Sequence, residues 1–110
     1  MRNQTAGALV NLSFYELFCQ QPEAAIAAAR RAQELRPNDI YSASNLLTGL
    51  LLTDQYEKAL QVWEEYKDRQ LPNSQTFGAA MLVDFQTLRE EGIHHPDFDR
   101  LAEIIRFHIQ

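Results

Sequence analysis

The sequence predicts an all-α protein, an α-solenoid of three antiparallel helical hairpins, and three observations carry that prediction. Apolar residues recur at helical spacing through almost the whole chain, and no segment alternates with the period of a strand. Clusters of Pro, Gly, Asn and Asp cut the chain into six stretches of helical length. Two stretches also repeat at an interval of 34 residues: Asn11-Leu12, Leu17, Glu23 and Ala25 recur as Asn45-Leu46, Leu51, Glu57 and Ala59. A hairpin that cannot bury its apolar face alone does so by stacking on its neighbours, and repeated hairpins therefore form a solenoid.

The first helix is expected from about Ala6 to Gln20. Pro22 opens the second, where the first turn needs no amide donor, and this helix ends near Leu35. Arg36-Pro37-Asn38-Asp39 breaks the chain before a third helix from about Tyr41 to Leu52. Thr53 or Asp54 is expected to cap the fourth, which continues to about Arg69. After Leu71-Pro72-Asn73-Ser74, with Asn73 or Ser74 as cap, a longer fifth helix is expected to reach Glu91 and stop at Gly92, the residue most tolerant of a left-handed closing conformation. Pro96 begins the sixth, which runs towards Ile109. All 110 residues read as one domain, with a first repeat at about 6–39, a second at about 40–73 and a degenerate third at about 74–110.

The faces of these helices differ. In the second, Ala25, Ile26, Ala29, Ala32 and Leu35 oppose Arg30, Arg31, Gln33 and Glu34; in the fourth, Tyr56, Ala59, Leu60, Trp63 and Tyr66 oppose Glu57, Lys58, Glu64, Glu65 and Lys67. Both are amphipathic, with one solvated face. The odd-numbered helices are nearly free of charge. Ala6–Phe18 holds only Glu16, Tyr41–Leu52 none, and Ser74–Leu88 only Asp84, so these helices need cover on more than one side.

Composition narrows the function. Apolar content of 45% and charged content of 23% are ordinary for a globular protein. The longest apolar run, Ala24 to Ala29, is far below the roughly 20 residues of a membrane span, and no secretory leader is visible, so a cytoplasmic location is expected. A formal charge of −5 works against phosphate binding, which makes a nucleic-acid partner unfavourable. The single cysteine, Cys19, excludes an intramolecular disulfide and a multi-cysteine zinc site, and its apolar surroundings predict a buried thiol.

The stretch Ala6–Asp39 resembles a tetratricopeptide repeat through Asn11-Leu12-Ser13, Ala25, Ala29, Ala32 and Pro37, and its length is that family's repeat length. Ser13 and Ala25 stand where the family places small residues at the crossing of the two helices. Ile40–Asn73 looks like a second copy through Asn45-Leu46, Tyr56, Ala59 and Trp63, with Leu47 at the small position and its proline one residue late at Pro72. In Ser74–Gln110 the likeness is only in outline. The resemblance implies a right-handed superhelical stack acting as a protein–protein interaction scaffold, with partners held on the concave face. Glu57–Phe77 is also similar to a pentatricopeptide junction, which implies a short single-stranded RNA binder with Ser44 and Asn73 at base-specifying positions; the acidic balance opposes that alternative.

Carried onto this chain, the concave positions implied by the tetratricopeptide resemblance are Val10, Phe14, Leu17 and Phe18, then Tyr41, Ser44, Asn45, Thr48, Leu51 and Leu52, then Gly78, Leu82 and Phe85. Such a groove is apolar with a polar middle and suits an amphipathic helix or an extended apolar peptide. Val10 and Phe14 replace the lysine and asparagine of the carboxylate clamp found in one subclass, so no clamp is expected. Ile104, Ile105, Phe107 and Ile109 hold more apolar surface than one helix face hides. This predicts a homodimer through Ile104 and Phe107, or further repeats of a parent chain beyond Gln110.

No catalytic constellation appears. There is no glycine-rich phosphate loop and no nucleophile motif, so neither enzyme activity nor a cofactor is expected. His94, His95, Asp97 and Asp99 have the composition of metal ligands but read as polar residues at a helix start. Glu16 takes an apolar packing position in the first helix, which predicts burial against Tyr15 or a cross-helix arginine, and His108 shows no carboxylate partner by spacing.

Overall fold

In the computed structural model, which describes residues 5–109, six helices follow one another: α1 (Ala6–Phe18), α2 (Pro22–Leu35), α3 (Ile40–Leu52), α4 (Tyr56–Tyr66), α5 (Phe77–Glu90) and α6 (Pro96–Ile109). Among the described residues there is no strand, only an isolated bridge between Gln70 and Thr76. Among the described residues no helix is long and apolar enough to cross a membrane.

Helix starts and stops follow local chemistry. The odd helices have side-chain caps: Thr5 Oγ1 accepts from the Ala8 amide at 3.1 Å, Asp39 Oδ2 from Ser42 at 2.8 Å and Thr76 Oγ1 from Ala79 at 3.1 Å, each satisfying an orphan amide of the first turn. The same helices end in left-handed residues, Gln20 (φ 57), Asp54 (φ 61) and Gly92 (φ 82). In each case the following amide reaches back into the last turn: Gln21 to the Glu16 carbonyl at 2.9 Å, Gln55 to Leu50 at 2.8 Å and Ile93 to Leu88 at 2.9 Å.

Three expectations are corrected. Asp54 belongs to the closing turn of α3, so Gln55, not Thr53 or Asp54, is the N-cap of α4, and α4 ends at Tyr66 rather than near Arg69. The fifth helix starts at Phe77 rather than Ser74, because Asn73 Oδ1 accepts from the Gln75 amide and Ser74 takes φ 68, which holds the chain in a turn. It is therefore 14 residues long, no longer than α2. Cys19, lying just past the end of α1, is exposed rather than buried.

Each of α1 to α3 packs on the helix that follows it, α5 packs on α6, and α3 also touches α1, α5 and α6. Its central position explains why every residue from Ser42 to Leu51 is buried. The charge-free sequence of α3 matches this enclosure, whereas α1 buries only Ala6, Leu9, Ser13 and Leu17 and leaves Tyr15 66% exposed. One core cluster draws residues from all six helices, from Leu17 to Ile105, and a small satellite joins Leu9, Ala28 and Ala32.

Two packing modes serve that core. Between α1 and α2, Ala25, Ala29 and Ala32 are fully buried and Ser13 Oγ donates to the Ala25 carbonyl at 2.7 Å, a contact that only small side chains permit. Between α5 and α6, rings fill the space: Phe85 and Phe98 stack with centroids 4.6 Å apart. Trp63 and Tyr66 of α4 meet Phe77 of α5 at 6.1 and 5.7 Å, and the Arg100 guanidinium of α6 lies 3.7 Å over the Tyr56 ring.

Candidate functional site

Two shallow clefts meet at Tyr41, Ser44 and Asp84 and form a groove along α1, α3 and α5. One arm is bordered by Val10, Asn11, Phe14 and Asn45. The other is bordered by Ile40, Leu71, Gln75, Phe77, Ala80 and Val83. The walls are thus mostly apolar, with a few polar groups near the centre.

Those polar groups are mostly engaged. Asn45 Nδ2 donates to the Val10 carbonyl at 3.0 Å and ties α3 to α1. Ser44 Oγ donates to the Tyr41 carbonyl at 3.0 Å. Asp84 is different. Its carboxylate joins no hydrogen bond or ion pair among the described residues, and burial alone pushes its pKa from 3.8 up to about 6. It occupies the groove side of α5 because Phe77, Met81, Phe85 and Leu88 set the core stripe, while Asp84 follows Phe77 and Ala80 along an adjacent row.

The groove residues expected from sequence divide accordingly. Val10, Phe14, Tyr41, Ser44 and Asn45 border the groove. Leu17, Thr48, Leu51 and Phe85 do not: they are core residues with at most 3% exposure, because the contacts of α3 with α1, α2, α4, α5 and α6 enclose positions that an open array would leave bare. Phe18 is half-buried and edge-on to Phe14 at 4.9 Å, behind the groove rather than in it. Leu52 borders a separate cleft with Pro22, Ile93 and His94, and Gly78 another with Lys67 and His108. Leu82 is half-buried against the core. Sequence reasoning missed Asn11 on one arm, Ile40, Leu71, Gln75, Phe77, Ala80 and Val83 on the other, and Asp84 where they meet. The available signal for Asp84 was that it is the one charge between Ser74 and Leu88.

The histidine and aspartate candidates have structural partners. Arg89 Nη2 donates to Asp99 Oδ1 at 2.7 Å, with His94 Nε2 3.5 Å from Asp99 Oδ2. His95 Nε2 lies 2.6 Å from Asp54 Oδ1, and its Nδ1 accepts from the Asp97 amide at 3.0 Å, joining the α3–α4 turn to the start of α6. Among the described residues, no three His, Cys, Asp or Glu side chains converge as metal ligands. His108 does have a carboxylate, Asp68 Oδ1 at 3.1 Å, brought from 40 residues away by packing of its ring on Trp63. Glu16 is half-buried, and its Oε1 has no partner among the described residues, in place of the expected Tyr15 or arginine. Ile104, Phe107 and Ile109 are exposed on α6, Phe107 to 82%.

Fold and site together define an all-helical protein with an apolar groove along α1, α3 and α5. Comparison of the chain with family models, with curated proteins and with solved structures finds no significant match.

Proposed function

We propose that this chain is a tetratricopeptide-like α-solenoid whose groove along α1, α3 and α5 holds a peptide segment of another protein. The observation that carries the reading is the run of apolar surface meeting at Tyr41, Ser44 and Asp84, on a protein whose α1 and α3 hold a single charge between them, Glu16. Apolar clefts with a few oriented polar groups are the usual form of a peptide site. The repeat reading is supported by the recurrence of equivalent parts 34 residues apart: the left-handed closures at Gln20 and Asp54, and the fully buried Ala25 and Ala59. The third closure, at Gly92, falls four residues later than that interval, and the Leu71–Ser74 turn lengthens the junction before α5. An unpaired carboxylate in the groove opposes phosphate and weighs against single-stranded RNA.

The test is selection of displayed random 16-residue peptides on the wild-type protein, followed by binding to the Tyr41→Ala/Val83→Ser variant. Both replaced side chains are largely exposed, so the fold should be unaffected. The expected result is selected peptides that lose at least tenfold in affinity for the variant. Peptides indifferent to both substitutions would place binding elsewhere.

A second reading, self-association through α6, is favoured by the exposure of Ile104, Phe107 and Ile109. It predicts a wild-type dimer that Phe107→Asp converts to monomer in light scattering. A wild type that stays monomeric at high concentration ends it.

A further inference from the structure

Among the described residues the groove is lined by one charged side chain, Asp84, and by no countercharge. From that juxtaposition we infer, resting on the peptide-binding reading above, that the occupant is a segment carrying a lysine or arginine between apolar residues, its cation set against the Asp84 carboxylate.

The argument turns on what each kind of occupant would do to Asp84. A wholly apolar segment would strip the remaining water from the carboxylate without replacing it, and an unpaired buried charge is strongly unfavourable. It would have to bind together with a proton. An acidic or phosphorylated segment would add like-charge repulsion in a setting of low polarity. A basic side chain instead supplies the missing hydrogen-bond donors and countercharge together, and such charge-assisted pairs are the strong ones. The apolar stems of Lys and Arg also suit the walls offered by Val83, Ala80 and Tyr41. The formal charge of −5 adds a long-range preference for cationic partners.

The groups around Asp84 leave this role to it alone. From α1 the groove receives Val10, Asn11 and Phe14, none of which ionises; from α3 it receives Ile40, Ser44, Asn45 and Tyr41; from the turn before α5, Leu71 and Gln75. Tyr41 is the other titratable side chain there, and among the described residues no Lys, Arg or His lines either arm. A basic segment would therefore expel the proton that Asp84 partly holds near pH 6, whereas an apolar segment would take a proton up.

The experiment uses peptides selected on the wild type as above, resynthesised with and without their basic residue. At pH 7.5, Lys→Gln or Arg→Gln in the peptide and Asp84→Asn in the protein should each weaken binding about tenfold, and the two together should cost no more than either alone. Calorimetry at pH 6 in buffers of different ionisation enthalpy should show release of about half a proton with wild type and none with Asp84→Asn. Circular dichroism verifies that the isosteric variant is folded. Peptides that need Tyr41 and Val83 yet bind Asp84→Asn as tightly as wild type overturn the basic-segment inference and leave the groove reading intact. If no selected peptide depends on Tyr41 and Val83, the groove reading fails, and this inference with it.

Discussion

The first and last helix pairs solve one packing problem in opposite ways. α1 and α2 approach through Ser13, Ala25, Ala29 and Ala32, so closely that a serine hydroxyl reaches the backbone of the facing helix at 2.7 Å. α5 and α6 are filled by the stacked rings of Phe85 and Phe98, with Leu88, Leu101 and Ile105 around them. The first mode depends on the absence of volume and the second on its presence. Each pair also holds a carboxylate group lacking a partner among the described residues: one oxygen of Glu16 on α1, and Asp84 on α5, whose pKa burial raises to about 6.

The largest expected effect is in the ring-filled pair. Phe98→Ala leaves a cavity against Phe85 and should cost about 4 kcal/mol in urea unfolding. The mirror substitution in the close pair is Ala25→Leu, which has no room at a fully buried contact and should cost about 3 kcal/mol. A small loss for Ala25→Leu would contradict the backbone-close contact; a small loss for Phe98→Ala would contradict the ring-filled one.

A smaller effect, with opposite sign, separates Asp84 from both. Well below pH 3.8 its carboxyl is protonated in the folded and unfolded chains alike and is neutral to stability. Between its ordinary pKa of 3.8 and about 6 the unfolded chain gives up the proton first, so stability falls as pH rises. Asp84→Asn cannot ionise and should therefore stabilise the protein by about 1–3 kcal/mol at pH 7.5, and by almost nothing at pH 3.5. Equal gains at the two pH values would mean that the charge is not what burdens α5.

The legibility of the sequence follows the same divide. Short-range chemistry was readable: Pro22 and Pro96 open helices, Gly92 closes one in the left-handed region, and the Ala25-Ala29-Ala32 stripe announces a close crossing. The ends that went wrong depended on which of two neighbouring polar residues takes which task. Asp54 closes α3 instead of capping α4, and Thr76 caps α5 in place of Ser74. The groove was harder still. Leu17, Thr48, Leu51 and Phe85 sit on the expected helices, but α3 contacts five other helices and draws such positions into the core. Asp84 reads in sequence as an ordinary solvated acid. Only the arrival of α5 beside α3 and the α1 side of the groove, far away along the chain, leaves it half-buried and takes part of its water away. The same non-local cause hid the Asp68 partner of His108 and the Asp54 partner of His95.

Titration of the Asp84 carboxyl carbon by NMR across pH 3 to 8, in the free protein, tests the desolvated groove most directly. A midpoint about two units above that of an exposed aspartate, near 6, is the predicted result. A midpoint at 3.8 would mean that water reaches the carboxylate freely and that α1, α3 and α5 do not form the groove described.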